Sequence, residues 1–94
     1  MKQEIIDNVC EQAVAQYGSR AQVDMAIEEM AELANALMKD RRNRVTNDDI
    51  ITEVADVTIM MNQLSFMLGR DKVKEEVERK ILRLIQRMNP AGSK

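Results

Sequence analysis

Asn47-Asp-Asp-Ile-Ile-Thr-Glu-Val-Ala-Asp-Val-Thr-Ile-Met-Met-Asn-Gln-Leu-Ser-Phe-Met-Leu68 is the stretch that decides the fold. At ~100° per residue, Ile50, Val54, Val57, Met61, Leu64 and Leu68 share one face of a helix. Ile51, Ala55, Ile59 and Phe66 lie on the opposite side. A helix that is apolar on two faces is covered on two sides. A chain of 94 residues has few helices with which to do that. Association between copies is the favoured source of the second cover, and a central helix in a monomeric bundle is the alternative.

Working outward, Thr46 or Asn47 can cap this helix, with Asp48 and Asp49 at its positive end. Gly69 ends it. Asp71 is the expected cap of a following helix that runs to about Met88, where Asn89-Pro90 stops it. Ala91 to Lys94 reads as a frayed tail. Upstream, residues 40–46 are polar and read as a loop. A helix from about Ser19 to Lys39 precedes them, with Ser19 and Gln22 in a capping-box pattern. Its apolar residues Val23, Ala26, Ile27, Met30, Leu33, Ala34, Leu37 and Met38 form one wide stripe. The first helix spans about Lys2 to Tyr17 and stops at Gly18. The expectation is an all-α fold: a single four-helix domain over residues 1–94, completed by oligomerisation.

Composition narrows the chemistry. Hydrophobic residues make up 45% and charged residues 32%, the balance of a globular protein rather than a disordered one. The only aromatics, Tyr17 and Phe66, argue against a β-sandwich or barrel. A net charge of −2 gives no sequence-wide nucleic-acid footprint. No stretch approaches a membrane span, and the N-terminus lacks a signal-peptide hydrophobic region. The single cysteine, Cys10, forms no disulfide within the chain and fits a reducing compartment, so a cytoplasmic protein is expected. There is no histidine. A metal would therefore be held by oxygen ligands, which points to Mg²⁺ or Mn²⁺.

Carboxylates stand where apolar residues belong. Glu53 falls within the apolar stripe of the third helix, and Asp56 lies at its edge. On the second helix Glu29 and Glu32 share a flank beside the main stripe. Residues three apart are neighbours on a helix, and like charges there repel. Two antiparallel helices carrying such pairs can gather four carboxylates, and a divalent cation reverses the sign of their interaction. A solvated acidic face is the alternative; it accounts for Glu29 and Glu32 but poorly for Glu53. On the fourth helix Lys80, Arg83 and Arg87 line one flank of the stripe Val77–Ile81–Leu84–Met88. Such a row can hold phosphate oxygens, or pair with Glu75, Glu76 and Glu78.

Glu28-Glu-Met-Ala-Glu32, followed after positions 33–52 by Glu53-Val-Ala-Asp56, resembles the E-E-x-x-E … E-x-x-D signature of the all-α nucleoside triphosphate pyrophosphohydrolases. The longer words Asp24-Met-Ala-Ile-Glu-Glu-Met-Ala-Glu-Leu33 and Glu53-Val-Ala-Asp-Val-Thr-Ile-Met-Met61 are similar to small MazG-like proteins of bacteria and phages. The resemblance covers about residues 20–88. It implies Mg²⁺-dependent hydrolysis of a nucleoside triphosphate to a monophosphate and pyrophosphate by a homodimer or homotetramer. It implies Glu29, Glu32, Glu53 and Asp56 as metal ligands. Glu32 and Glu53 are then the candidate catalytic carboxylates, with Glu32 expected to orient or deprotonate the attacking water. Lys39, Lys80 and Arg83 are the candidates for binding substrate phosphates. A non-enzymatic helical homo-oligomeric interaction module is the rival expectation.

Overall fold

Two glycines and one capping box divide the chain. Gly18 and Gly69 adopt φ of +91° and +107°, a region that side chains rarely enter, and at each of them one helix ends as the next begins. The computed structural model describes residues 1–91. It contains α1 (Gln3–Tyr17), α2 (Ser19–Asp40), α3 (Asn47–Leu68) and α4 (Arg70–Met88), and no strand among the described residues. Ala91 lies in a turn; the rest of the expected frayed tail is outside the described residues.

Two of the expected caps are corrected. Ser19 is already inside α2, because Gly18 joins α1 directly to α2 and itself occupies the cap position. Gln22 therefore closes no capping box. Asp71 likewise lies within the first turn of α4, with Gly69 at the cap, where its charge still meets the positive end of the helix. Thr46 does cap α3. Its hydroxyl accepts the Asp49 amide at 3.2 Å, and Asp49 Oδ2 accepts the Thr46 amide at 2.9 Å. Asn43 (φ 56°) turns the chain between α2 and α3, a conformation that Asn tolerates better than most side chains.

α2 and α3 form the central antiparallel pair. Only one edge of the wide α2 stripe is used: Gln22, Ala26 and Ala36 are buried, and Glu29 and Leu33 half-buried. The small side chains of Ala26 and Ala36 let α3 come close. α3 turns Met60 and Gln63 inward, with Glu53, Asp56, Val57, Leu64 and Met67 half-buried. Gln22 Nε2 donates to Gln63 Oε1 at 2.7 Å in this seam. α1 crosses the opposite flank of α3 through Cys10 and Val14, both buried, and the Cys10 thiol reaches the Ile59 carbonyl at 3.9 Å.

α4 stands off. No Cα of α4 comes within 8 Å of α1 or α2 among the described residues, and every residue from Lys74 to Ala91 is exposed. Its departure is fixed at the root. Arg70 donates to Glu11 Oε2 at 2.6 Å, to the Asn62 side-chain oxygen at 2.8 Å and to the Asp7 carbonyl at 3.3 Å. The same guanidinium sits 5.2 Å from the Phe66 ring centroid. The radius of gyration is 16.5 Å, against about 12 Å for a compact chain of this length.

Much apolar surface stays in water as a result. The other edge of the α2 stripe (Val23, Ile27, Met30, Leu37 and Met38) is exposed, as are Ile51, Val54 and Ile59 on α3 and the whole α4 stripe. The accessible surface is 7622 Å², whereas a folded monomer of this mass exposes about 5,500 Å². No helix among the described residues is long and apolar enough to cross a membrane.

Candidate metal centre

The register of α2 against α3 follows from one pair. Gln22 lies opposite Gln63, and two helical turns along, Glu29 lies opposite Asp56. Burying that edge of α2 carries Glu29 into the seam. Glu53, one turn before Asp56, faces the same space. One carboxylate oxygen from each of Glu29, Glu53 and Asp56 lies within 4.8 Å of the others. All three side chains are half-buried. Glu29 Oε2 and Glu53 Oε2 are shielded from solvent and have no hydrogen-bond partner.

This arrangement resists its own ionisation. Burial, then the charges of Glu32 and Asp56, a hydrogen bond to Asp56 and the charge of Glu53 push the Glu29 carboxyl above its ordinary range. Burial, then the charges of Glu32, Asp56 and Asp49 do the same to Glu53. Orphaned, shielded carboxylate oxygens are costly unless something compensates them. A hard divalent cation would do so, because the donors are all oxygen and anionic. The residues present fit such an ion.

The other expected site residues are placed differently. Glu32 is exposed and outside the trio, although its charge acts on both Glu29 and Glu53. Glu28 is exposed. Lys39 is exposed in the last turn of α2, where its carbonyl closes the following turn by accepting the amides of Arg42 and Arg44. Lys80 and Arg83 lie on the free part of α4. With Arg87 they line a surface cleft of about 160 Å³. They form no ion pair among the described residues; the cation that pairs within α4 is Arg79, with Glu76. The structure thus brings Glu29, Glu53 and Asp56 together and leaves the α4 cations apart from them.

Gln22, expected as a capping residue, instead sets the register with Gln63, and Arg70 sets the course of α4; neither Gln63 nor Arg70 stands out in the sequence. Gln63 sits one helical turn past Met60 on the inward face, and that placement was the available signal. Nothing local to Arg70 announces partners 59 residues away. Cys10 is buried, and burial pushes its thiol up, away from nucleophilic use. Comparison with protein-family models, with curated proteins and with solved structures returned no match to this chain.

Proposed function

We propose that this chain is a MazG-like, all-α nucleoside triphosphate pyrophosphohydrolase that depends on Mg²⁺, or Mn²⁺, and works as a homo-oligomer. The observation that carries the proposal is the meeting of Glu29, Glu53 and Asp56 across two helices, with two shielded oxygens unpartnered. The motif resemblance and the absence of histidine point the same way.

In this reading Glu29, Glu53 and Asp56 hold the cation, and Glu32 stands at the solvent edge of the centre. A bound Mg²⁺ supplies charge neutralisation on phosphate oxygens and lowers the pKa of coordinated water. Glu32, exposed yet electrostatically coupled to Glu29 and Glu53, is the group to orient or deprotonate the water that attacks the substrate. The water oxygen would attack the α phosphorus and give its proton to Glu32; the bond from that phosphorus to the α–β bridging oxygen breaks, and pyrophosphate leaves with the oxygen and the bonding electron pair. Positioning and electrostatics supply most of the acceleration in such chemistry. The exposed apolar edges of α2, α3 and α4 support the oligomer: two copies that each cover the roughly 2,000 Å² of surface beyond that of a compact monomer form an interface in the obligate-homodimer range.

The same surface favours a second reading, a homo-oligomeric interaction module without catalysis. One experiment separates the two. Pyrophosphate release is followed over a panel of canonical and modified dNTPs and NTPs, with Mg²⁺ and with EDTA, beside thermal melts in both buffers. Mg²⁺-dependent release with the matching monophosphate as product is the expected result. No release across the panel and no Mg²⁺ effect on melting would leave the interaction module standing.

A further inference from the structure

We propose that two copies of the chain exchange α4: the helix leaves its own bundle and docks on the apolar face that α2 and α3 of the other copy present on the side away from α1. This rests on the homo-oligomeric half of the reading above and is independent of the hydrolysis.

The receiving face follows from register and periodicity. At ~100° per residue, Val23, Ile27, Met30 and Leu37 project roughly a quarter-turn to one side of the α2 edge that meets α3. On α3, Val54, Met61 and Leu68 are turned in the same rotational sense from the edge that meets α2. In an antiparallel pair, equal turns in one sense bring both sets to the same side. All seven side chains are exposed there. α1 takes the other side of α3, through Ile59 and Asn62.

α4 lacks a cover in its own chain. The Arg70 clasp to Glu11, Asp7 and Asn62 holds its root toward α1, and beyond Val73 the helix is exposed. A 19-residue helix with the stripe Val77, Ile81, Leu84 and Met88 in water is marginal by itself. Pairing α4 with α4 leaves the α2–α3 face bare, and pairing that face with itself leaves α4 bare. In a twofold pair, exchange covers both with one repeated contact. The accessible surface of 7622 Å² exceeds that of a compact monomer by roughly 2,000 Å². Two copies that each cover that excess reach the obligate-dimer range.

Charge selects the occupant and its direction. On the flank away from α3, the α2 stripe is bordered by exposed Asp24 and Glu28. One flank of the α4 stripe carries Lys80, Arg83 and Arg87, exposed and outside the ion pairs of the described residues. Glu76 on that flank is taken by Arg79, and no acidic residue follows Glu78. With α4 parallel to the other copy's α2, this basic flank faces Asp24 and Glu28; an antiparallel α4 would turn it away. Opposite charges thus fix the orientation of the docked helix. The α3 border of the face has no charged residue from Val57 to Leu68, so nothing there repels the other flank of α4.

Charge reversal tests this by sedimentation equilibrium, without reference to activity. The double variants Asp24→Lys/Glu28→Lys and Lys80→Glu/Arg83→Glu each set like charges against each other at both contacts of the pair. Each is expected to dissociate at about 10-fold or more higher concentration than wild type. Mixed in equal amounts, the two variants restore opposite charges at both contacts, and dimers of wild-type strength are expected. Undiminished association of Lys80→Glu/Arg83→Glu overturns the proposal. So does a mixture that stays as weak as its components. Recovery when all four substitutions share one chain, without recovery in the mixture, assigns α4 to its own α2 and likewise overturns it. A second measurement does not depend on the charges. Cys10→Ser/Ile27→Cys and Cys10→Ser/Ile81→Cys chains of different mass are mixed and treated with a short bis-maleimide. A covalent heterodimer on a denaturing gel supports the exchange, and its absence in a mixture that sediments as dimers overturns it. Wild-type protein that sediments as a monomer removes the homo-oligomeric reading together with this one, whereas dimers indifferent to the α4 charges remove this one alone.

Discussion

Gln22 and Gln63, 41 residues apart, share a buried hydrogen bond of 2.7 Å, and that bond holds α2 and α3 in the register that brings Glu29 to Asp56. Both residues are almost fully buried. A hydrogen-bonded amide pair buried in the seam has one good alignment, because a slip leaves two amides unsatisfied.

Removing one member should cost more than removing both. Gln63→Ala strands the Gln22 amide, and a loss of about 1–3 kcal/mol is expected in urea unfolding. Gln22→Leu with Gln63→Leu should be close to neutral in stability. The double variant should nevertheless bind Mg²⁺ less well, because nothing polar then fixes the register. Equal Mg²⁺ affinity in wild type and double variant, measured by calorimetry, would refute the register role.

The carboxylate centre has a definite pH signature. Glu29 and Glu53 have folded-state values raised by burial above the ordinary 4.5. Their protonated forms therefore favour the folded chain. That contribution is present below the unfolded value and is lost as pH rises through the folded values. Asp49 runs the other way. The Thr46 amide, then its hydroxyl, holds the Asp49 carboxyl below 3.8. Its contribution is present above 3.8 and is lost as pH falls through the depressed value. Thermal melts in EDTA should thus lose stability as pH rises from the acid side of Glu titration towards neutrality. Mg²⁺ should cancel that loss at neutral pH, and identical profiles in the two buffers would count against a metal centre here.

Charge removal at the centre should separate stability from activity. Glu53→Gln and Asp56→Asn relieve repulsion, so both variants should melt at or above the wild-type temperature in EDTA. Both should lose the Mg²⁺-induced rise in melting temperature. Pyrophosphate release should fall about 100-fold or more. Unfolding of both variants would instead point to a structural role for these carboxylates.

Arg70→Ala should loosen α4. The side chain is partly exposed, so the ion pair with Glu11 adds little alone. The forked contacts to Asn62 and Asp7 and the Phe66 ring bring the expected loss to about 1–2 kcal/mol. Arg70→Lys should recover little of it, because an ammonium does not reproduce the fork. Sedimentation should also show weaker self-association for Arg70→Ala than for wild type.

The sequence by itself determined the four helices and most of their ends. Gly18, Gly69, Thr46 with Asp49, and Asn89-Pro90 act through local backbone chemistry that needs no partner. It also determined the i, i+3 spacing of the carboxylates and the apolar stripes, since 3.6-residue periodicity states which side chains share a face. Tertiary structure decided which edge of a wide stripe is covered. Ala26 and Ala36 admit α3 at one edge of α2, so Glu29 is turned in while Ile27 and Leu37 are left out and Glu32 stays in solvent. It turned Gln22 from a supposed cap into a buried register pin. It sent α4 away from the bundle through Arg70, whose partners lie on α1 and α3. Periodicity fixes angles about one helix axis, but the placement of one axis against another depends on side chains distant in sequence.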